Sequence, residues 1–139
     1  MKKIAILALA VLFCPLAMAN NSAAPVATPA QRQQAEVIIV ELVSAMEEFV
    51  TLLEGINSKE TADAAADRLP VLAAKANAIV RKGKGMGNFR FKAPGLEAKL
   101  GRIMEEHEAR TRLAVQNLVS NQCYGSYKLI YVMQNLKNL

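Results

Sequence analysis

Apolar residues recur at helical spacing over most of the chain. Between residues 29 and 56 they fall at Ile39, Leu42, Met46, Phe49, Leu53 and Ile56. The alternating steps of three and four are the seam of a helix laid against near-parallel neighbours. Val43 and Val50 widen that seam on one side. Thr28-Pro29-Ala30-Gln31 supplies the start: a capping hydroxyl, a proline at the first helical position and a glutamine that closes a capping box. A second seam, Ala62, Ala65, Leu69, Leu72, Ala76 and Ile79, predicts a helix over 58–82. Gly55 and Asn57 end the first helix. Asn57 then caps the second, with Glu60 three residues on. So short a turn makes the two helices antiparallel neighbours, and the alanines let their backbones approach closely. Pro70 lacks the amide that would bond to Ala66, which predicts a kink.

Residues 83–93 hold three glycines and no long periodicity, and read as a connector. A third helix, 94–120, begins at Pro94 or Gly95. Its apolar face is Leu96, Leu100, Ile103, Met104, Thr111, Ala114, Val115 and Leu118. Asn121 to Ser126 break the chain, and 126–139 form a last short helix with Leu129, Val132, Met133 and Leu136 on one face. The alternative is one unbroken helix from Leu96 to Leu136. Strand-like alternation appears only at Asn88 to Lys92. The expected fold is therefore all-α: one domain over 29–139, an antiparallel helical bundle of three long helices plus a short C-terminal one.

The first 19 residues follow a different pattern. Lys2 and Lys3 precede an uncharged apolar stretch from Ile4 to Leu16, and Ala17-Met18-Ala19 ends it with small residues. This is the layout of a secretory signal cleaved after Ala19, which makes the protein periplasmic or secreted. The stretch is interrupted by Pro15 and is too short to span about 30 Å of hydrocarbon, so the cleaved chain is not transmembrane. A lipidated Cys14 fits less well, because bulky Leu12 and Phe13 precede it. Residues 20–28 are small and polar, an unstructured lead-in. With 53% hydrophobic and 21% charged residues, the rest is a globular chain.

Cleavage also changes the charge. The formal balance of +5 becomes 15 Lys and Arg against 12 acids. Arg81, Lys82, Lys84, Arg90 and Lys92 share one acid-free segment, and the rest of the mature chain is slightly acidic. The basicity is thus one patch, interleaved with Phe89 and Phe91. Cations beside aromatics bind anions by charge and stacking. The expected partner is an acidic protein or an anionic envelope polymer or lipid; export argues against nucleic acid. The opposing reading is a solvated crossover whose two Phe rings cover the end of the bundle.

Catalytic chemistry has little to stand on. Two Asp and one His occur in the whole chain, and no metal-binding or phosphate-loop motif is present. The expectation is a protein that is not an enzyme and carries no cofactor, with Asp63 and Asp67 solvating the outer surface of the second helix. His107 lies about 20° from Leu96 on a helical wheel, in the middle of an apolar face. It reads as a core histidine bonded to a carbonyl or hydroxyl. The sharper alternative is a haem-type axial ligand paired with Met46 on the first seam. Cys123, the single cysteine left after cleavage, is either an inert half-core thiol or the link of a homodimer.

The segment from Ile56 to Leu72, INSKETADAAADRLPVL, with its short turn and Ala-rich second helix, resembles small exported all-helical bacterial proteins of unknown function. The likeness runs from Val37 to Lys82. It implies the hairpin and the export and no activity.

Overall fold

The computed structural model describes residues 26–87 and 94–136, the side chains of 94–97 excepted. The first helix, α1, runs Pro29–Glu54. At its start the Thr28 hydroxyl accepts from the Gln31 amide at 3.2 Å, and the Gln31 side chain accepts from the Thr28 amide at 2.9 Å. Two donors that the helix leaves unpaired are thereby satisfied. At the other end the Gly55 amide donates back to the Thr51 carbonyl, 3.0 Å away.

Helix α2 runs Lys59–Gly85. Its cap is Ser58 rather than Asn57, and Thr61 rather than Glu60 closes the box. The reason lies in Thr61, whose hydroxyl sits 3.0 Å from both the Asn57 and the Ser58 amides. The helix runs through Pro70 and takes in Gly83, Lys84 and Gly85, which the glycine spacing had placed in the connector. Lys82 and Lys84 in the last turn oppose the partial negative charge of the helix end and favour that extension.

Helix α3 spans Pro94–Ser120 and α4 spans Tyr127–Asn135. Between them Gln122, Cys123 and Tyr124 hold φ of 51°, 51° and 55°, and Gly125 holds 75°. Four successive left-handed residues turn the chain sharply, so no single helix joins Leu96 to Leu136. The described residues are 89% helical, with four α-helices and no strand. The fold is all-α, and among the described residues no helix is long and apolar enough to cross a membrane.

The core has two parts. The larger holds Phe49, Leu53 and Ile56 of α1 and the turn after it, Ala62, Ala65 and Leu69 of α2, Leu118 of α3, and Leu129 and Leu136 from the C-terminal segment. The smaller holds Ile38, Leu42, Ala45 and Met46 against Ile79 and Val80, with Met86 and Met104 partly buried on it. All the core residues that α4 contributes belong to the larger part. Every position of the second seam is buried. On the first, Ile38 is buried and Ile39 only half-buried. A helix of 3.6 residues per turn drifts from a 3.5-residue seam, and over this length the drift moves the stripe by one position. At the edges Lys75 meets Glu48 at 2.6 Å and Lys82 meets Glu41 at 3.2 Å. The partner numbers fall on α1 as they rise on α2.

Candidate functional site

Two polar regions stand out, one between α1 and α3 and one at the end of α2. The first is built around His107, which is 7% exposed. Its Nδ1 lies 2.8 Å from the Ile103 carbonyl one turn back, and its Nε2 lies 2.7 Å from Glu47 Oε2 on α1. One turn further along α3, Arg110 reaches the same carboxylate at 2.9 Å. It also forks onto Glu54, with Nε and Nη2 at 2.9 and 2.7 Å from the two oxygens. Planar guanidinium and carboxylate match in this geometry, which makes it among the stronger polar contacts. The Arg110 hydrogen bonds hold the Glu47 and Glu54 carboxyls below the usual range, and His107 adds to the effect on Glu47. The two carboxylates in turn keep the guanidinium more firmly protonated.

Each ring nitrogen of His107 faces an oxygen acceptor. Nε2, the atom an axial ligand offers to a metal, is the one bonded to Glu47. Met46 is buried in the smaller core cluster beside Leu42 and Ile79. Among the described residues no group of three His, Cys, Asp or Glu side chains is placed to hold a metal ion. The sequence pattern singles out His107 and passes over Glu47, Glu54 and Arg110. Their signal is present in it: two glutamates seven apart beside the first seam, and an arginine three residues past the histidine.

The second region is the last two turns of α2. Arg81, Lys82 and Lys84 are all exposed there. Lys82 is engaged with Glu41, whereas no carboxylate among the described residues pairs with Arg81 or Lys84. Phe89, Arg90, Phe91 and Lys92 lie outside the described residues, as do residues 1–19, where a leader is expected.

Cys123 is half-buried on the left-handed turn, and burial pushes its thiol up from the usual value. A protonated thiol is a poor nucleophile. Asp63 and Asp67, expected to solvate the outside of α2, instead hold α4. Asp63 accepts from the hydroxyl of Ser126, which is 0% exposed, and Asp67 pairs with Lys128 at 2.6 Å. The left-handed turn brings α4 back over that face, which the spacing of residues along α2 does not reveal. Compared with protein-family models, curated proteins and solved structures, the chain matches none.

Proposed function

We propose that the chain is an exported, non-enzymatic interaction module, cleaved after Ala19, whose basic patch binds an acidic protein or an anionic envelope component. Its helices form an antiparallel bundle of three long members and a short fourth. The paired residues support that arrangement: Glu41 and Glu48 with Lys82 and Lys75 in opposite order, Glu47 and Glu54 with His107 and Arg110 in the same order.

The observation that carries the reading is the pair Arg81 and Lys84, exposed and without a carboxylate partner among the described residues. They lie within an acid-free run of 29 residues, from Arg68 to Leu96, that holds seven Lys and Arg. Two of the seven, Lys75 and Lys82, are already engaged by α1. Cations in excess of their local countercharge attract anions over about 8 Å at physiological salt.

The test is a binding titration against anionic phospholipid vesicles and polyglutamate at rising salt. The five-residue variant Arg81→Gln, Lys82→Gln, Lys84→Gln, Arg90→Gln, Lys92→Gln is the control. Binding that weakens with salt and disappears in the variant supports the reading. Binding unchanged in the variant, or no binding at all, overturns it.

A further inference from the structure

Helix α4 has nine residues and α2 has 27, so α4 covers only about a third of the length of α2. It lies along a stripe of α2 marked by Asp63 and Asp67, where Ser126 and Lys128 meet them. An α-helix returns to the same azimuth after 18 residues, or about five turns. Arg81 therefore lies on the azimuth of Asp63, Val80 on that of Ala62, and Lys84 on that of Ala66. Ala62 and Ala66 are buried in the cluster that α4 completes. At the far end of the same stripe, Arg81 and Lys84 are exposed, and the smaller core cluster there receives nothing from α4. Met86 and Met104 lie half-buried against that cluster, and Leu100 and Ile103, within one turn of Met104 on α3, are half-buried.

From this we infer that the length of α2 beyond α4, with Met104 of α3 packed beside it, is a docking groove for an acidic amphipathic helix supplied by another protein. Charge complementarity selects that occupant. Where α4 sits, the stripe is acidic and the incoming helix brings Lys128. Beyond α4 the stripe is basic, and a helix that continues its line must bring carboxylates to Arg81 and Lys84. Residues 1–25, 88–93 and 137–139 contain no Asp or Glu. Apolar positions at three- and four-residue spacing would meet the Met86–Met104 cluster, as in other helix-in-groove complexes. The inference deepens the anion-binding reading and rests on it, since it names the partner that the patch accepts.

The probe is a dye-labelled synthetic helix of about 18 residues, with Leu on one face and Glu on its flanks, and a Lys-for-Glu counterpart. The full chain is expected to bind the Glu peptide and ignore the Lys peptide. Arg81→Glu with Lys84→Glu is expected to weaken binding about tenfold or more and to gain the Lys peptide. Methionine methyl signals of Met86 and Met104 are expected to shift on binding, and that of Met133, on α4, to stay. No binding, binding indifferent to the charge reversal, or a shift at Met133 overturns the groove. A chain that holds polyglutamate or anionic vesicles but not the helix leaves the broader reading standing and removes this one. A chain that binds none of them removes both. Self-association abolished by the double variant would replace the partner with a second copy and overturn the inference as stated.

Discussion

Glu47 Oε2 stands 2.7 Å from His107 Nε2 and 2.9 Å from Arg110 Nη1, so one carboxylate of α1 holds two side chains of α3 a helical turn apart. Pairs on the open surface, such as Lys59–Asp63 or Arg112–Glu108, contribute little, because water screens them and ordering two long side chains costs entropy. The His107 contact differs in that the imidazole is buried and already oriented by the Ile103 carbonyl. Replacing His107 by Ala leaves that carbonyl and Glu47 without a ring to meet them. The expected loss is about 2 kcal/mol in urea unfolding, and a variant as stable as the parent would contradict the clamp.

The lowered carboxyls of Glu47 and Glu54 make stability depend on pH with a definite sign. A carboxyl whose folded value is depressed contributes stability above its unfolded value and loses it as pH falls through the folded one. Thermal stability is therefore expected to hold near neutrality and to fall as pH drops below about 4. Arg110→Met removes the main cause of both shifts and should flatten this acid limb. A limb equally steep in the variant would place the titration elsewhere.

Backbone strain predicts an opposite pair of effects at one turn. Gln122 is exposed at φ 51°, where an L side chain costs about 1–2 kcal/mol. Gln122→Gly is expected to stabilise the protein by about 0.5 kcal/mol, after the added freedom of the unfolded chain is subtracted. Gly125 at φ 75° has open space where a methyl group would stand, with nothing within 4 Å. Gly125→Ala should therefore destabilise through conformation alone, by about 1 kcal/mol. Urea midpoints that move in the other direction would show that the turn is not left-handed.

Ser126 serves two partners at once: its hydroxyl donates to Asp63 and accepts from the Leu129 amide at 3.0 Å. Ser126→Ala removes the cap of α4 and its tether to α2 together. The expected cost is about 1–2 kcal/mol, with amide exchange accelerated in α4 ahead of α1 and α2. Uniform acceleration across the chain would mean that α4 does not open separately.

Much of the fold is legible in the sequence because helix signals are local. The Thr28–Gln31 box and the alanine seam from Ala62 to Ile79 each state their role within a few residues. Where two local signals compete, the finer reading fails: Asn57 and Ser58 can both cap, and Thr61 decides between them. The polar cluster is only partly legible. His107 declares itself by standing on an apolar face, but Glu47 and Arg110 look like ordinary surface charges until α1 and α3 are placed together. The roles of Asp63 and Asp67 are hidden for the same reason, since they depend on a left-handed turn roughly 60 residues away in the chain.

That turn also sets the order in which the molecule can be finished. Leu129 and Leu136 belong to the same cluster as Leu53, Leu69 and Leu118, and they are made after all three. During synthesis from the N-terminus, α1 and α2 can close their hairpin early. The larger core, however, stays open until Leu129 and Leu136 have emerged and α4 has swung back. A message or a protease that stops the chain before Leu129 would release a product with its main apolar surface uncovered. Helix α4 thus ties the closure of the larger core to the synthesis of every helix before it.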